Sequence, residues 1–271
     1  MNVSMKLFRS KNRLVSTFLP DYSARQAREL FFTPRKFPAK PWEEKMEQKG
    51  RRIQLGGGLS AIVWGGSNRK VLVVHGWESR ATQLSGFVDV LVNQGFEVVA
   101  LDGPAHGASS GERANPWLFS QAVSQAIQAV GPFEAILGHS MGGNAVATAL
   151  AQGVECSKVV LISSPSSVRE VLERFAGFIG LSPASTVRFL ARVEEEVGVT
   201  AESLNTVENI RRSSARGLVI HDEADAEIPF QNALDIVNNW PGAQLFSTQG
   251  FGHRAIVRQP GVWQKVAAFL A

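Results

Sequence analysis

The 271-residue chain has a single cysteine, Cys156, so an intrachain disulfide is excluded and a reducing cytoplasm is the expected compartment. Cys156 itself reads as a small packed hydrophobe. Long apolar runs are also missing. Nowhere do about 18 consecutive apolar residues occur, which argues against a membrane-spanning helix. Residues 1–20 interrupt their apolar positions with Lys6, Arg9, Lys11 and Arg13, so no secretory leader is expected there. Neither a His-Glu-x-x-His nor a Cys-x-x-Cys spacing occurs, and no metal or organic cofactor is expected. Modules that bind nucleic acid are absent too.

What remains is ordinary globular composition, 44% apolar and 19% charged, in a length that suits one large core carrying an insertion. The net charge of +4 is unevenly placed: residues 1–49 hold eleven Lys and Arg against five Asp and Glu, leaving the rest of the chain at −2. Residues 1–50 therefore form a basic N-terminal arm. Leu7, Phe8, Leu14, Val15, Phe18 and Leu19 recur among its cations at roughly helical spacing. The expectation is a solvated extension whose apolar residues pack on the body; the alternative is peripheral contact with anionic lipid or nucleic acid.

From residue 52 onward, short β-rich runs alternate with helical stretches, the pattern of helices crossing over between parallel strands. A hairpin over 52–64 turns at the glycines 56–58. Buried strands follow at 71–74, 97–101, 134–137 and 159–163, with helices at 83–94, 116–130 and 144–152. Strand signals then lapse over 165–214, which reads as an inserted helical cap with helices at 168–177, 185–197 and 201–210. Strands resume at 217–220 and 243–248, and a helix over 261–270 closes the chain. The expected fold is three-layer α/β/α with a mostly parallel sheet, its core comprising 51–164 and 215–271.

The third buried strand runs into Gly138-His139-Ser140-Met141-Gly142 and then a helix. A Gly-x-Ser-x-Gly turn in that setting lifts the serine hydroxyl above the sheet and leaves room where a larger flanking side chain would clash. The helix also directs unpaired N–H groups toward anything formed at Ser140. An alcohol is a poor nucleophile until an imidazole takes its proton, and a carboxylate must orient that imidazole. Both groups follow in the required order, carboxylates at 222, 225 and 227 after one strand and His253 after the next.

On these motifs the chain resembles the α/β-hydrolase superfamily, serine esterase type with a short helical cap, from His75-Gly76-Trp77 to the terminal helix. The family's acid stands in an Asp-x-x-[Val/Ile]-Pro context, matched by Asp225-Ala226-Glu227-Ile228-Pro229, so the resemblance implies Asp225 as the acid, with Asp222 and Glu227 capping or neutralising local charges. It implies His253 as the base, with His75 and His106 structural, His139 directed away from the serine, and His221 preceding the acid loop. It implies backbone N–H donors from Trp77 and Met141 for the oxyanion, and Asp102 as a structural turn residue. Glu78 and Arg80 are expected in surface ion pairs. Phe175, Phe178, Ile179, Leu181, Phe189 and Leu190 are expected to form the cap's own core rather than a greasy acyl site.

The activity so implied is hydrolysis of a small-molecule carboxylic ester or thioester through an acyl-enzyme on Ser140. Relatives that dehalogenate or open epoxides use Asp as nucleophile, which Ser140 argues against. Carbon–carbon bond hydrolases, lysophospholipases and monoacylglycerol lipases share the same residues and stay open, as does a ligand-binding protein without catalysis.

Overall fold

The computed structural model describes residues 3–271, with side chains from Leu7 onward. Three helices precede the sheet: α1 (Val3–Phe18), α2 (Pro20–Phe32) and α3 (Pro41–Lys49). The hairpin β1 (Arg51–Gly56) and β2 (Leu59–Trp64) follows, turning through Gly57 and Gly58, both at positive φ. Then come β3 (Arg69–Val74), α4 (Gly86–Val92), β4 (Phe96–Asp102), α5 (Pro116–Val130), β5 (Ala135–His139), α6 (Met141–Ala151) and β6 (Lys158–Ile162). Helices α7 (Val168–Ile179), α8 (Pro183–Val197) and α9 (Thr206–Ile210) lie between β6 and β7 (Arg216–Asp222). The chain ends with α10 (Gln231–Asn239), β8 (Gln244–Thr248), α11 (Gly252–Ala255) and α12 (Pro260–Leu270).

The strands form one eight-stranded sheet in the order β1-β2-β4-β3-β5-β6-β7-β8. Only β1–β2 and β2–β4 pair antiparallel, so the hairpin is the antiparallel edge and the rest is parallel. Alternation along the strands divides the core between two faces. Leu72, Val74, Val99 and Leu101 pack with Phe119 of α5, Val146 of α6 and Ile236 of α10. Val71, Val73, Val98 and Ala100 pack with Phe87 and Leu91 of α4 and with Val262 and Val266 of α12. Both faces being covered explains why these strands are continuous apolar runs. The chain therefore has the expected α/β-hydrolase fold.

Local signals account for several helix starts. Asn115 Oδ1 accepts from Leu118 N at 2.9 Å with Pro116 at the first helical position, and Ser182 Oγ caps α8 ahead of Pro183 in the same way. The helix expected over 83–94 begins as a 3-10 turn, Ala81–Leu84, and becomes α-helical only at Gly86. A Cβ on Gly86 would stand 2.4 Å from the Trp263 ring, so glycine lets the start of α4 pack directly on α12. The helix expected over 201–210 is likewise divided into a 3-10 turn, Glu202–Leu204, and α9; Asn205 between them accepts from Val168 N at 2.8 Å.

The apolar residues expected to pack the N-terminal segment on the body do not: Leu7, Phe8, Leu14, Phe18 and Leu19 are exposed, and α2 joins the segment to the body instead. Ala24, Ala27 and Phe32 of α2 are buried in a third cluster with Leu172, Ala176 and Phe189 of the inserted helices. Among the described residues no helix is long and apolar enough to cross a membrane.

Candidate active site

Ser140 stands between β5 and α6 with φ 55° and ψ −123°, a conformation costly for a residue with a Cβ. The turn is tight enough to require glycine on both sides. A Cβ on Gly138 would lie 2.5 Å from Gly143 Cα, and one on Gly142 would lie 2.4 Å from the carbonyl oxygens of Val74 and His75. The helix begins at Met141 rather than at 144 as expected; Gly142 and Gly143, which weaken its propensity, are held by close packing, Gly142 on the end of β3 and Gly143 on Ser164 and Gly138.

Two loops at the same end of the sheet bring the partners. His253, at the start of α11, has Nε2 2.9 Å from Ser140 Oγ and Nδ1 2.8 Å from Asp225 Oδ2. A carboxylate only accepts, so Nδ1 carries the proton and Nε2 is left to accept from the serine hydroxyl. Asp225 Oδ1 accepts from the backbone N–H groups of Glu227 at 2.9 Å and Ile228 at 2.8 Å. Burial alone would push its carboxyl upward, but hydrogen bonds from His221, His253 and Ile228 outweigh that and hold it well below the ordinary carboxylate range. The structure thus brings Ser140, Asp225 and His253 together.

The rival carboxylates have other work. Asp222 Oδ2 accepts from the Thr248 hydroxyl at 2.7 Å and from Phe251 N at 3.0 Å, which ties the loop bearing His253 to the loop bearing Asp225. Glu227 pairs with Arg254, its Oε1 2.8 Å from Nε. Asp102 accepts from Ala81 N, Ala108 N and Arg52 around its own turn.

His75, His106 and His139 are structural. His75 donates from Nδ1 to Gly76 O and accepts at Nε2 from Gly103 N, and burial lowers its pKa to about 3. His106 donates to Pro104 O and accepts from Glu78 N, linking the 75–79 turn to the turn after β4. His139 turns from the serine toward His253 O at 2.9 Å, and burial lowers its pKa to about 3 as well. Among the described residues, no group of three His, Cys, Asp or Glu is arranged to hold a metal.

Trp77 and Met141 flank the serine from two sides. Gly76 packs so closely that a Cβ on it would be 2.8 Å from Ser140 Cβ, which puts the 75–79 turn beside the hydroxyl. Met141 opens α6, so its N–H is one of the helix's first four, without a partner one turn back.

Ser140 lines two cavities. One, about 210 Å³, is walled by Phe31, Trp77, Met141, Val171, Phe175 and Ile228 and has no charged lining. The other, about 480 Å³, is a charged cleft that includes Glu78, Arg80, Glu227, Arg254 and Arg258. A larger groove of about 1210 Å³, beside Cys156 and Arg212, lies at the opposite, N-terminal ends of β6 and β7. Open α/β sheets bind ligands at the C-terminal ends of their strands, where Ser140 stands, which directs attention to the first two cavities. Burial pushes the Cys156 thiol up to about 11, in keeping with an inert packed residue.

The contribution of residues 30–43 is absent from the sequence reading. Phe31 stacks on Trp77 at 6.3 Å and meets Phe175 edge-on at 5.2 Å, so the N-terminal segment supplies a wall of the apolar cavity. Arg35 forks onto Glu78 at 2.8 and 2.6 Å, and Arg80 lies 3.7 Å from Glu43 and donates to Phe37 O, which fastens that segment to the turn bearing Trp77. The ion pairs expected of Glu78 and Arg80 are present, but their partners come from the arm. The cap residues divide: Ile179, Phe189 and Leu190 are buried in the cap core, Phe178 is exposed, and Phe175 faces the cavity. A basic, charge-dense stretch gives no apolar period by which to place Phe31 opposite Trp77.

Fold and site define a hydrolase of the α/β-hydrolase class. The profile of the serine aminopeptidase S33 family matches residues 66–236, well over half the chain, and the protein belongs to that family. Ser140 and Asp225 lie within the matched stretch and His253 beyond it. No match to a curated protein was found.

Similar solved structures include an esterase from Exiguobacterium antarcticum, 16% identical with a TM-score of 0.62, covering 82% of this chain and 98% of that one. A meta-cleavage product hydrolase from Pseudomonas fluorescens IP01 is also 16% identical, with a TM-score of 0.62, covering 82% and 97%. A bromoperoxidase from Bacillus anthracis is 16% identical with a TM-score of 0.59, covering 82% and 99%. At such identity the likeness is one of fold.

Proposed function

We propose that the protein is a serine hydrolase that cleaves a carboxylic ester or thioester of small or medium acyl length. The observation that carries this is the hydrogen-bonded line from Ser140 Oγ through His253 to Asp225, at 2.9 and 2.8 Å. Ser140 Oγ attacks the carbonyl carbon while His253 takes its proton; the carbonyl–leaving-group bond then breaks and His253 hands that proton to the departing alcohol or thiol. Water next attacks the acyl-enzyme, giving a proton to His253, which returns it to Ser140 as the acid is released. The negative charge on Asp225 stabilises the imidazolium in both steps. The N–H groups of Trp77 and Met141 hold the oxyanion, a role worth about 3 kcal/mol per donor.

The charge-free lining of the 210 Å³ cavity suits an apolar acyl group. It argues against an aminopeptidase mode, in which a free carboxylate would have to meet the substrate ammonium. In the adjoining cleft, Glu78 and Glu227 are each committed to an arginine, and Glu43 accepts from Lys40 N and the Thr82 hydroxyl.

The test is labelling by a fluorophosphonate and turnover of p-nitrophenyl esters of increasing acyl length, in wild type and Ser140→Ala. Loss of both in the variant is the expected result, and an optimum in chain length then sizes the acyl cavity. Labelling without ester turnover would favour a carbon–carbon bond hydrolase. Neither labelling nor turnover in wild type would overturn the hydrolytic mechanism and favour a ligand-binding protein.

A further inference from the structure

Helix α1 is packed in the opposite sense to an ordinary amphipathic helix. Its polar side faces the protein: Arg9 donates to Gly177 O at 3.1 Å, and Asn12 donates to Ile179 O at 2.9 Å. Ser16, fully buried, accepts at Oγ from Ser182 N at 2.8 Å, while its carbonyl accepts from the Ser182 and Ser185 hydroxyls, each at 2.8 Å. The apolar side faces outward. Leu7, Leu14 and Phe18 share one stripe by their spacing of seven and four, and are 67%, 64% and 75% exposed. Leu19 and Tyr22 extend the exposed apolar surface into α2.

Single exposed hydrophobes need no explanation, but an aligned set on one helix does. Burying a leucine or phenylalanine is favourable enough that a helix free to roll would turn this stripe inward. The hydrogen bonds of Arg9, Asn12 and Ser16 hold it outward instead.

Charge selects the occupant. Helix α1 carries Lys6, Arg9, Lys11 and Arg13 and no acidic residue; Lys11 is exposed within the stripe, one turn from Leu7 and Leu14, and Arg13 is exposed on the helix flank. Two copies of such a helix laid face to face would bring Lys11 and Arg13 of one against those of the other, with no acidic residue in α1 to pair them. A lipid surface supplies both needs, an apolar boundary for the stripe and phosphates for the cations. Other exposed apolar side chains stand at the apolar cavity. Leu30 is half exposed and lines it, and exposed Phe178 is one turn along α7 from Phe175, which also lines it.

We propose that the outward face of α1 docks the protein on an anionic lipid surface, Leu7, Leu14 and Phe18 entering the acyl boundary while Lys11 and Arg13 meet lipid phosphates. This stands whether or not Ser140 is a nucleophile.

The experiment is co-sedimentation of the full chain with vesicles of phosphatidylcholine alone or in equal parts with phosphatidylglycerol, beside sedimentation velocity without vesicles. Two double variants are compared with wild type, Leu14→Ser with Phe18→Ser and Lys11→Gln with Arg13→Gln; all four side chains are exposed, and thermal melts check the fold of each. Expected are binding to the anionic vesicles that weakens with added salt, and partitioning lowered about tenfold in each double variant. Equal binding to both vesicle types, no binding to either, or double variants that bind like wild type would overturn the proposal. So would a wild-type dimer that the Leu14→Ser, Phe18→Ser pair dissociates, which would assign the face to a second copy of the chain.

Discussion

His253 and His221 approach the same carboxylate oxygen: His253 Nδ1 is 2.8 Å from Asp225 Oδ2, and His221 Nε2 is 3.4 Å from it. His221 Nε2 also lies 2.9 Å from Ile228 O, so it carries the hydrogen and points its positive edge at the acid. His221 is thus a positioning residue for Asp225. Replacing it by Phe removes the donor and leaves a buried carbonyl unpaired, at about 1–3 kcal/mol of stability. In ester turnover, kcat is expected to fall about tenfold with KM little changed. Partial recovery in His221→Gln would separate donor loss from mere loss of packing, and a change confined to KM would refute the role.

The buried neutral histidines set the acid side of the stability profile. Burial lowers His75 and His139 to about 3 each, and lowers His106 as well. In the unfolded chain an imidazole titrates at about 6.5. Between these values the unfolded state holds protons that the folded state does not, so stability rises with pH across the window and levels off above it. Each fully shifted histidine contributes up to about 1.4 kcal/mol per pH unit. Urea denaturation between pH 6.5 and 4.5 is expected to show a steep loss, shallower in His139→Gln. An unchanged slope in that variant would show that His139 is not the group titrating.

Much of this molecule was legible in its sequence where one physical demand dominates. The strands β3 to β7 are read from apolar runs because the sheet is covered on both faces, and Ser140 from a turn that tolerates only glycine beside it. What escaped notice depends on contacts between distant segments. Helices α2 and α3 sit in a stretch whose charges read as an arm, yet Ala24, Ala27 and Phe32 are core residues once the inserted helices lie across them. Helix α10 is only nine residues long and follows the acid loop directly, so its Ala233 and Ile236 do not announce a period. The Arg35–Glu78 pair joins residues 43 apart, and no local pattern marks either as the other's partner.

Phe31 is expected to set acyl length. Its ring stacks on Trp77 and lines the 210 Å³ cavity beside Ser140 and Met141. Phe31→Ala would lengthen that cavity at its N-terminal wall and move the p-nitrophenyl ester optimum toward longer chains. The ring is half-buried, so the stability cost should stay at about 2 kcal/mol, below that of truncating a fully buried aromatic. A uniform loss of rate at every chain length, with no shift in the optimum, would place the acyl group in the charged cleft instead.

The backbone at Ser140 should reveal itself as stored strain. At φ 55° and ψ −123° a Cβ is unfavourable and glycine is not, so the hydroxyl is held over the cavities at a cost in stability. Ser140→Ala and Ser140→Gly both lose the hydroxyl and its hydrogen bond to His253, and both are expected to be inactive and unlabelled by a fluorophosphonate. They differ in whether a Cβ remains. Elsewhere glycine lowers stability relative to alanine through the entropy of the unfolded chain, but here relief of strain should win and make the glycine variant the more stable by about 1 kcal/mol. Denaturant midpoints of the two variants decide the matter, because the chemistry lost is the same in both. An alanine variant as stable as the glycine variant or more so would mean that the turn is relaxed, and that Gly138 and Gly142 serve close packing alone.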